Sequence, residues 1–397
     1  METALDLTIV MPCLNEAETL VACIEKARRG IEAAGVTGEV LIADNGSTDG
    51  SIELAEKHGA RIIRVAEKGY GSALRGGIAE ARGRWLLMGD ADDSYDFSQA
   101  PRFVEKLRSG DDLVMGCRMP RGGGTIMPGA MPWKNRWIGN PVLSFIGKLF
   151  FRTPVQDFHC GLRAFSRAAY DRMQLQTTGM EFASEMVMKS SILGMRASQV
   201  PITLHKDGRS RPPHLKPWRD GWRHLRFMLI YSPRWLFLMP GLALTGLGTV
   251  AALAIFLGTR QVAGIRLDVG TLLVACMTII IGVQLSAFAF FAKVFAIGEN
   301  LLPDDPSFSC IFRHFTLERG VIAGTILLLS GAGTLGWALW LWKVAGFGQM
   351  DYAENLRRLI GATTLLILGV QIVFSSFFMS VLGLKTTTRR PPETENL

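Results

Sequence analysis

Trp85-Leu86-Leu87-Met88-Gly89-Asp90-Ala91-Asp92-Asp93 is an apolar run that breaks abruptly into acid. Trp85–Met88 is too short for a helix and stops at Gly89, so it reads as a buried strand. Asp90 and Asp92 then stand at i and i+2 around a turn. Two carboxylates so placed can hold Mg2+ or Mn2+ against a diphosphate. A hard cation prefers oxygen ligands, and it neutralises charge on a leaving nucleotide. A D-x-D turn by itself is as readily a solvated loop, and solvation alone accounts for Asp93, so the surrounding sequence has to decide.

Three further short apolar runs precede this one. Leu7–Met11 ends in Pro12, Glu39–Ala43 ends at Asp44, and Ala60–Val65 is the third. Helical patterns separate them, from Asn15 through Arg28, from Ser51 to His58, and after Gly69–Gly77 to Arg82. This alternation predicts a parallel sheet with helices on both faces. Ligands of such sheets bind at the carboxyl ends of strands, and each acidic motif here follows a predicted strand.

The chain has 397 residues, 48% of them hydrophobic and 20% charged. That mixture is uneven. Leu236–Leu257, Val269–Ala292, Val321–Trp342 and Leu359–Leu384 contain no Asp, Glu, Lys or Arg. Each is long enough to cross a bilayer as a helix, which takes roughly 20 residues. The N-terminus offers no competing signal peptide, since Met1–Asp6 is acidic and Leu7–Leu14 is a short strand-like run. The expected organisation is a soluble α/β domain over residues 1–215, an interfacial amphipathic helix over 216–234, a four-helix membrane domain over 235–385 and a tail over 386–397.

Net charge is +8. The excess lies just before the first apolar run, at Lys206, Arg209, Arg211, Lys216, Arg219, Arg223, Arg226 and Arg234. Basic residues flanking a span mark the cytoplasmic side, and their place beside membrane spans favours anionic lipid over nucleic acid as partner. Four spans return the tail, with Lys385, Arg389 and Arg390, to that side. Two segments have helical apolar spacing suited to a headgroup boundary: Val142, Phe145, Ile146, Leu149 and Phe150, and Trp218, Trp222, Leu225 and Leu229. Packing on the sheet is the alternative for both. The six cysteines show no C-x-x-C or C-x-H spacing, which reads as reduced thiols without a zinc site.

Pro12-Cys13-Leu14-Asn15-Glu16, Asp44-Asn45-Gly46-Ser47-Thr48-Asp49-Gly50, Lys68-Gly69-Tyr70-Gly71 and Asp90-Ala91-Asp92 occur in that order at strand ends. In combination they resemble a family 2 glycosyltransferase with a GT-A fold. Arg118, Gln156-Asp157-Phe158-His159-Cys160-Gly161-Leu162-Arg163 and Gly208-Arg209-Ser210-Arg211 extend the likeness to the polyprenyl-phosphate (dolichol-phosphate) mannosyl- and glucosyltransferase branch. The likeness covers about Leu7 to Arg211.

The resemblance implies roles. Pro12, Asn15 and Glu16 line a nucleoside pocket, and Asp44 contacts the base without choosing between UDP and GDP. Lys68 and the loop holding Gly71 approach the donor, and Asp90 and Asp92 flank the metal. The branch has a Gln two residues after the second Asp, where this chain has Ser94, so its third ligand is open. Arg118, Arg136 and Ser210 align with acceptor-phosphate residues, and Arg209 and Arg211 belong to a loop closing on the diphosphate. For Arg136, between Trp133 and Trp137, interfacial anchoring is the competing reading.

Asp157, His159, Glu181 and Glu185 are the acid–base candidates, with Asp157 also suited to orienting the acceptor. An alcohol acceptor needs a general base, whereas a phosphate oxygen is already anionic. Arg163 is expected to pair with a carboxylate, and Asp49 to hold its own turn.

The expected reaction is inverting transfer of a hexose from a UDP- or GDP-sugar to an undecaprenyl- or dolichyl-type phosphate at the cytoplasmic membrane face. The enzyme would be an integral membrane protein, and a homo-oligomer is compatible with the sequence. A transferase acting on diacylglycerol or ceramide is one rival. A processive synthase is another, weakened because Arg234-Trp235 lacks a Gln three residues earlier. A transporter is disfavoured because the apolar runs hold no ionisable acid or base.

Overall fold

The computed structural model describes residues 5–210, 217–256, 260–262, 265–299, 302 and 316–383. The chain divides into two compact units, Met1–Met228 and Leu229–Leu397.

The first unit is built on a seven-stranded sheet. Its strands are β1 (Leu5–Cys13), β2 (Gly38–Asp44), β3 (Arg61–Arg64), β4 (Gly83–Met88), β5 (Leu113–Cys117), β7 (Arg163–Ser166) and β8 (Ala197–Pro201). Their spatial order is β3-β2-β1-β4-β7-β5-β8. β1 pairs in parallel with β2 and β4, bringing Cys13 opposite Asp44 and Val10 opposite Met88. Leu7, Ile9, Val10 and Met11 are wholly buried, as expected where helices cover both faces of a parallel sheet. α1 (Leu20–Ala33) packs Leu20, Cys23, Ile24, Ala27 and Ile31 inward at helical spacing. The other helices that matter to the site are α2 (Ser51–Lys57), α3 (Tyr70–Glu80), α4 (Ala100–Arg108), α5 (Asn140–Phe151), α6 (Arg167–Met173), α7 (Phe182–Ile192) and α8 (Pro217–Ile230). A short parallel pair, β6 (Thr125–Ile126) and β9 (Thr203–Leu204), lies apart from the main sheet.

The four strands read from the sequence pair in parallel, and one later strand departs from that pattern. β7 enters antiparallel between β4 and β5. This strand carries the end of the Gln156–Arg163 motif into the sheet beside β4, the strand that delivers Asp90.

One surface of this unit is apolar and exposed, and a second carries an exposed tryptophan among arginines. Trp133, Trp137, Ile138, Val142, Phe145 and Leu149 stand out from α5 and from the π-helical turn Asn135–Gly139 before it. No Asp or Glu occurs between Asp112 and Asp157, while Arg118, Arg121, Lys134, Arg136, Lys148 and Arg152 do. On α8 the inward stripe is Asp220, His224 and Met228, and Trp222 is 59% exposed.

Among the described residues the second unit holds four helices long and apolar enough to span a membrane, Arg234–Phe256, Val269–Gly298, Leu317–Val344 and Tyr352–Leu382. They bury small residues at i, i+7 and i+14. The series are Gly241 and Gly248 with Ile255, then Ala275, Gly282, Ala289 and Ala296, then Gly324, Gly331 and Ala338, then Ala362, Gly369 and Ser376. Small side chains at such a seam let backbones approach, which drives association where hydrophobicity cannot. Gln371 donates to Gln284 across the second and fourth helices at 2.7 Å.

Candidate active site

The carboxyl ends of β1, β2 and β4 converge. Asn15, just past β1, takes a left-handed φ of 59°, which Asn tolerates better than most residues. Its side-chain oxygen accepts from Thr48 N at 2.7 Å, tying the first loop to the second. Asp44 is buried and accepts from Gly46 N and Ser47 N, so its carboxylate shapes the loop that was expected to meet the base. Asp49 holds its own turn through Ser51 N and also accepts from Ala17 N. A cavity of about 290 Å³ opens here, lined by Asn15, Glu16, Glu18, Thr48, Asp49 and Arg209. Pro12 lies in β1 opposite Ala43. A larger hollow of about 600 Å³ beside Arg75, Gly76 and Tyr170 is lined by none of the acidic-motif residues.

Lys68 donates to the Asn45 carbonyl, beneath the second loop. Gly71 faces a different neighbour. A Cβ there would stand 2.5 Å from Thr177 O, and Ser72 N donates to Thr178 O at 3.1 Å. Gly71 is thus a place of close backbone approach to the segment before α7, whereas donor contact was the expectation.

Asp90 follows β4. Tyr70 Oη donates to its Oδ1 at 3.0 Å. Burial and the nearby Asp92 charge raise its pKa to about 6. Asp92 accepts from Ser94 Oγ at 2.6 Å and from Arg209 Nη2 at 2.9 Å. The Arg209 guanidinium also reaches Glu16 at 3.1 Å and Asp207. A cationic group therefore sits among these carboxylates. Two acidic side chains with a hydroxyl beside one of them suit a hard divalent ion that takes its remaining oxygens from a diphosphate. Among the described residues no group of three or more His, Cys, Asp or Glu could hold a metal ion by itself. The donor set thus fits a metal shared with a nucleotide.

Arg118 directly follows β5 and is 7% exposed. Its Nε and Nη2 grip Asp157 at 2.7 and 2.9 Å, and its Nη1 donates to Tyr95 Oη at 3.4 Å. Asp157 is wholly buried and takes the Arg118 backbone N–H as well. Asp157 is therefore committed to Arg118, and three of the five N–H groups of the guanidinium expected to face an acceptor phosphate are occupied. Arg136 lies on the exposed π-helical turn with its guanidinium 5.4 Å from the Trp137 ring centroid. Ser210 is held by Glu18 through its N–H and hydroxyl, both at 2.6 Å, on the side of the nucleoside cavity. Arg211 lies outside the described residues.

Two further expectations change. Arg163 is wholly buried but pairs with no carboxylate among the described residues. It donates to the carbonyls of Cys160 and Ala183. Glu185 accepts from Thr177 N and Oγ1 and from Lys189 at 2.8 Å, so it anchors the segment before α7 and is not free to move protons. Sequence reading assigned no role to Tyr70 or Tyr95. Tyr70 lies within a recognised motif and Tyr95 three residues after Asp92.

Comparison with known proteins identifies the family. The model of the family described as "Glycosyl transferase family 2" matches residues 8–173. That described as "Glycosyltransferase family 2 C-terminal transmembrane region" matches residues 290–383. The low-salt glycan biosynthesis hexosyltransferase Agl6 of Haloferax volcanii is 36% identical over 378 residues, covering 95% of this chain and 89% of that protein. The glycosyltransferase AglJ of the same organism is 31% identical, over 62% of this chain and 79% of its own. Its dolichyl-phosphate hexose transferase is 28% identical, over 54% and 89%. With a relative at this identity matched over nearly its whole length, the chain belongs to glycosyltransferase family 2, as an integral membrane enzyme with a GT-A catalytic unit.

Proposed function

We propose that this enzyme transfers a hexose from a UDP- or GDP-sugar to a polyprenyl phosphate, with inversion, at the cytoplasmic face of the membrane. The observation that carries the choice of acceptor is the buried Asp157–Arg118 pair. It withdraws Asp157 from base catalysis, and Glu185 is withdrawn by Lys189, so that of the three carboxylate candidates Glu181 alone has no ion pair among the described residues. An alcohol acceptor would need such a base, whereas a phosphate brings its own anionic oxygen. The name of the dolichyl-phosphate hexose transferase relative supports the same reading.

In this mechanism Asn15, Glu16 and Asp44 receive the nucleoside. Asp90 and Asp92 would hold a divalent ion, which when bound supplies charge neutralisation on the departing diphosphate. Arg209 exchanges its carboxylates for that diphosphate, and Arg211 is assigned to the same loop. Arg118, through its remaining N–H groups, and Arg136 orient the acceptor phosphate, to which Ser210 is also assigned. One of its oxygens attacks the anomeric carbon from the face opposite the nucleotide. The bond to the diphosphate oxygen breaks, and its electron pair leaves with the nucleotide.

The test is incubation of the purified enzyme with a panel of nucleotide sugars and either polyprenyl phosphate or diacylglycerol. Product should form only with the phosphate lipid. EDTA or Asp92→Ala should reduce turnover at least a thousandfold with the fold intact, and full activity in EDTA would remove the metal from the scheme.

A further inference from the structure

A buried polar cluster beside Asp90 has no role in the steps above. Both ring nitrogens of His159 are buried and, among the described residues, have no hydrogen-bond partner. Glu181 Oε2 is in the same condition. The two belong to one cluster. The His159 ring stands 4.8 Å from the His224 ring, and His224 Nδ1 shares a hydrogen bond of 2.8 Å with Ser184 Oγ, one turn from Glu181. Leaving one buried donor or acceptor unmade costs about 1–3 kcal/mol. Such atoms on two side chains that both neighbour His224 ask for a ligand or an ordered water.

The cluster's position says which ligand. His159 precedes Cys160 and Gly161. A Cβ on Gly161 would lie 2.8 Å from Asp90 Oδ2, and Gly161 N donates to Tyr95 Oη at 2.9 Å. Glu181 closes the segment Thr177–Gly179, which packs on Gly69 and Gly71, the neighbours of Tyr70, whose hydroxyl binds Asp90. Arg163 ties the two segments together through Cys160 O and Ala183 O. Both unpartnered side chains are thus carried by segments that border the metal-and-diphosphate motif, where the sugar of a nucleotide sugar begins.

The chemistry agrees. Burial and the neighbouring His224, Arg118 and Arg163 hold the His159 pKa well below its usual value, so the ring is neutral and offers one donor and one acceptor. A carboxylate adds an acceptor. Such a set matches the hydroxyls of a hexose.

We infer that His159 and Glu181 form the subsite that reads the hydroxyls of the transferred hexose, with His224 and Ser184 as positioning residues behind them. The inference rests on the proposed donor class but is independent of the acceptor. The experiment is calorimetric titration of the full-length enzyme in nanodiscs with UDP, GDP, UDP-glucose, UDP-galactose and GDP-mannose, in Mn2+. The wild type should bind one nucleotide hexose at least tenfold tighter than the other hexoses, each measured against its bare nucleotide. Glu181→Gln and His159→Leu should each erase most of that preference while binding bare nucleotide within threefold of wild type, which also reports an intact fold. His159→Asn, which restores a donor and an acceptor, should recover part of it. If His159→Leu loses bare-nucleotide binding, His159→Asn and Ser184→Ala decide instead, each expected to weaken the preference measurably. Unchanged preference with retained nucleotide binding would mean that the cluster holds only an ordered water, and would overturn the inference. So would loss of turnover by Glu181→Gln with unchanged hexose preference, since Glu181 would then act on the acceptor. A preference that behaves as expected in an enzyme that never glycosylates polyprenyl phosphate would overturn the proposed function alone.

Discussion

Arg118 shows what a residue's neighbours add to its identity. Its sequence position resembled that of an anion-binding arginine, but its partner Asp157 is 39 positions away, and no spacing rule links them. Breaking a buried ion pair from one side leaves the other charge uncompensated and costs about 3–5 kcal/mol. Asp157→Ala should therefore lower the melting temperature of the catalytic unit markedly, as Arg118→Ala should. A double replacement, Arg118→Met with Asp157→Leu, should recover most of that stability and none of the transfer to polyprenyl phosphate. Scanning fluorimetry beside an acceptor titration separates the two effects, and equal melting of all three variants with the wild type would contradict the pairing. Arg163 marks the opposite limit. Its sequence suggested a carboxylate partner, but three-dimensional packing supplied two carbonyls, Cys160 O and Ala183 O, which no pattern in the chain announces. The acidic motif itself was legible, because a strand that ends in Asp-x-Asp is a local feature.

At the scale of elements, the four strands before Asp90 were readable from short apolar runs, and all four sit in the sheet. β7 was not, because Arg163–Ser166 opens on a buried arginine and gives no apolar alternation to follow. α8 was read as a helix, but its inward stripe was not anticipated. Trp222 was read as facing a headgroup boundary and is exposed, but nothing marked Asp220 and His224 as the buried side. Polar residues can line that stripe because Ser184 meets His224. This contact has a consequence for pH. The pKa values of His159 and His224 are both lowered, chiefly by burial. Glu181 and Asp220 pull His224 upward, while Arg163 and Arg223 push it down. In the unfolded chain both titrate near 6.5. Above that pH neither state binds the proton and stability is full. As pH falls below it, the unfolded chain gains protons that the folded one refuses. Stability then drops by at most about 1.4 kcal/mol per pH unit per histidine until the folded values are reached. Melting temperature should thus decline from pH 7 to pH 5, and His224→Asn should flatten the slope. A slope unchanged in that variant would show that His224 does not carry the effect.

For the molecule as a whole, the division into a mixed α/β unit and an apolar helical one was visible because charge disappears from long stretches after Arg234. The packing inside the membrane unit was less visible, since a seam of Gly, Ala and Ser at every seventh residue is hidden among many other small residues. The asymmetry of charge predicts an orientation. Arg219, Arg223, Arg226 and Arg234 stand at the entry to the first span, and Lys385, Arg389 and Arg390 follow the last. Basic residues close to span ends are retained in the cytoplasm. An even number of spans, four here, brings both ends to one side. Arg260 and Arg266 after the first span and Lys343, Arg357 and Arg358 after the third press the other way, against the larger basic cluster before the first span and the basic tail. The catalytic unit and the tail should therefore both face the cytoplasm, where nucleotide sugars are made. A phosphatase or fluorescent-protein reporter fused after Leu397 should report a cytoplasmic end. Replacing Arg219, Arg223 and Arg226 together by Gln should weaken that bias, giving a mixed population in protease-protection assays. A reporter that reads as exported in the wild-type chain would place the catalytic unit on the far side and contradict this topology.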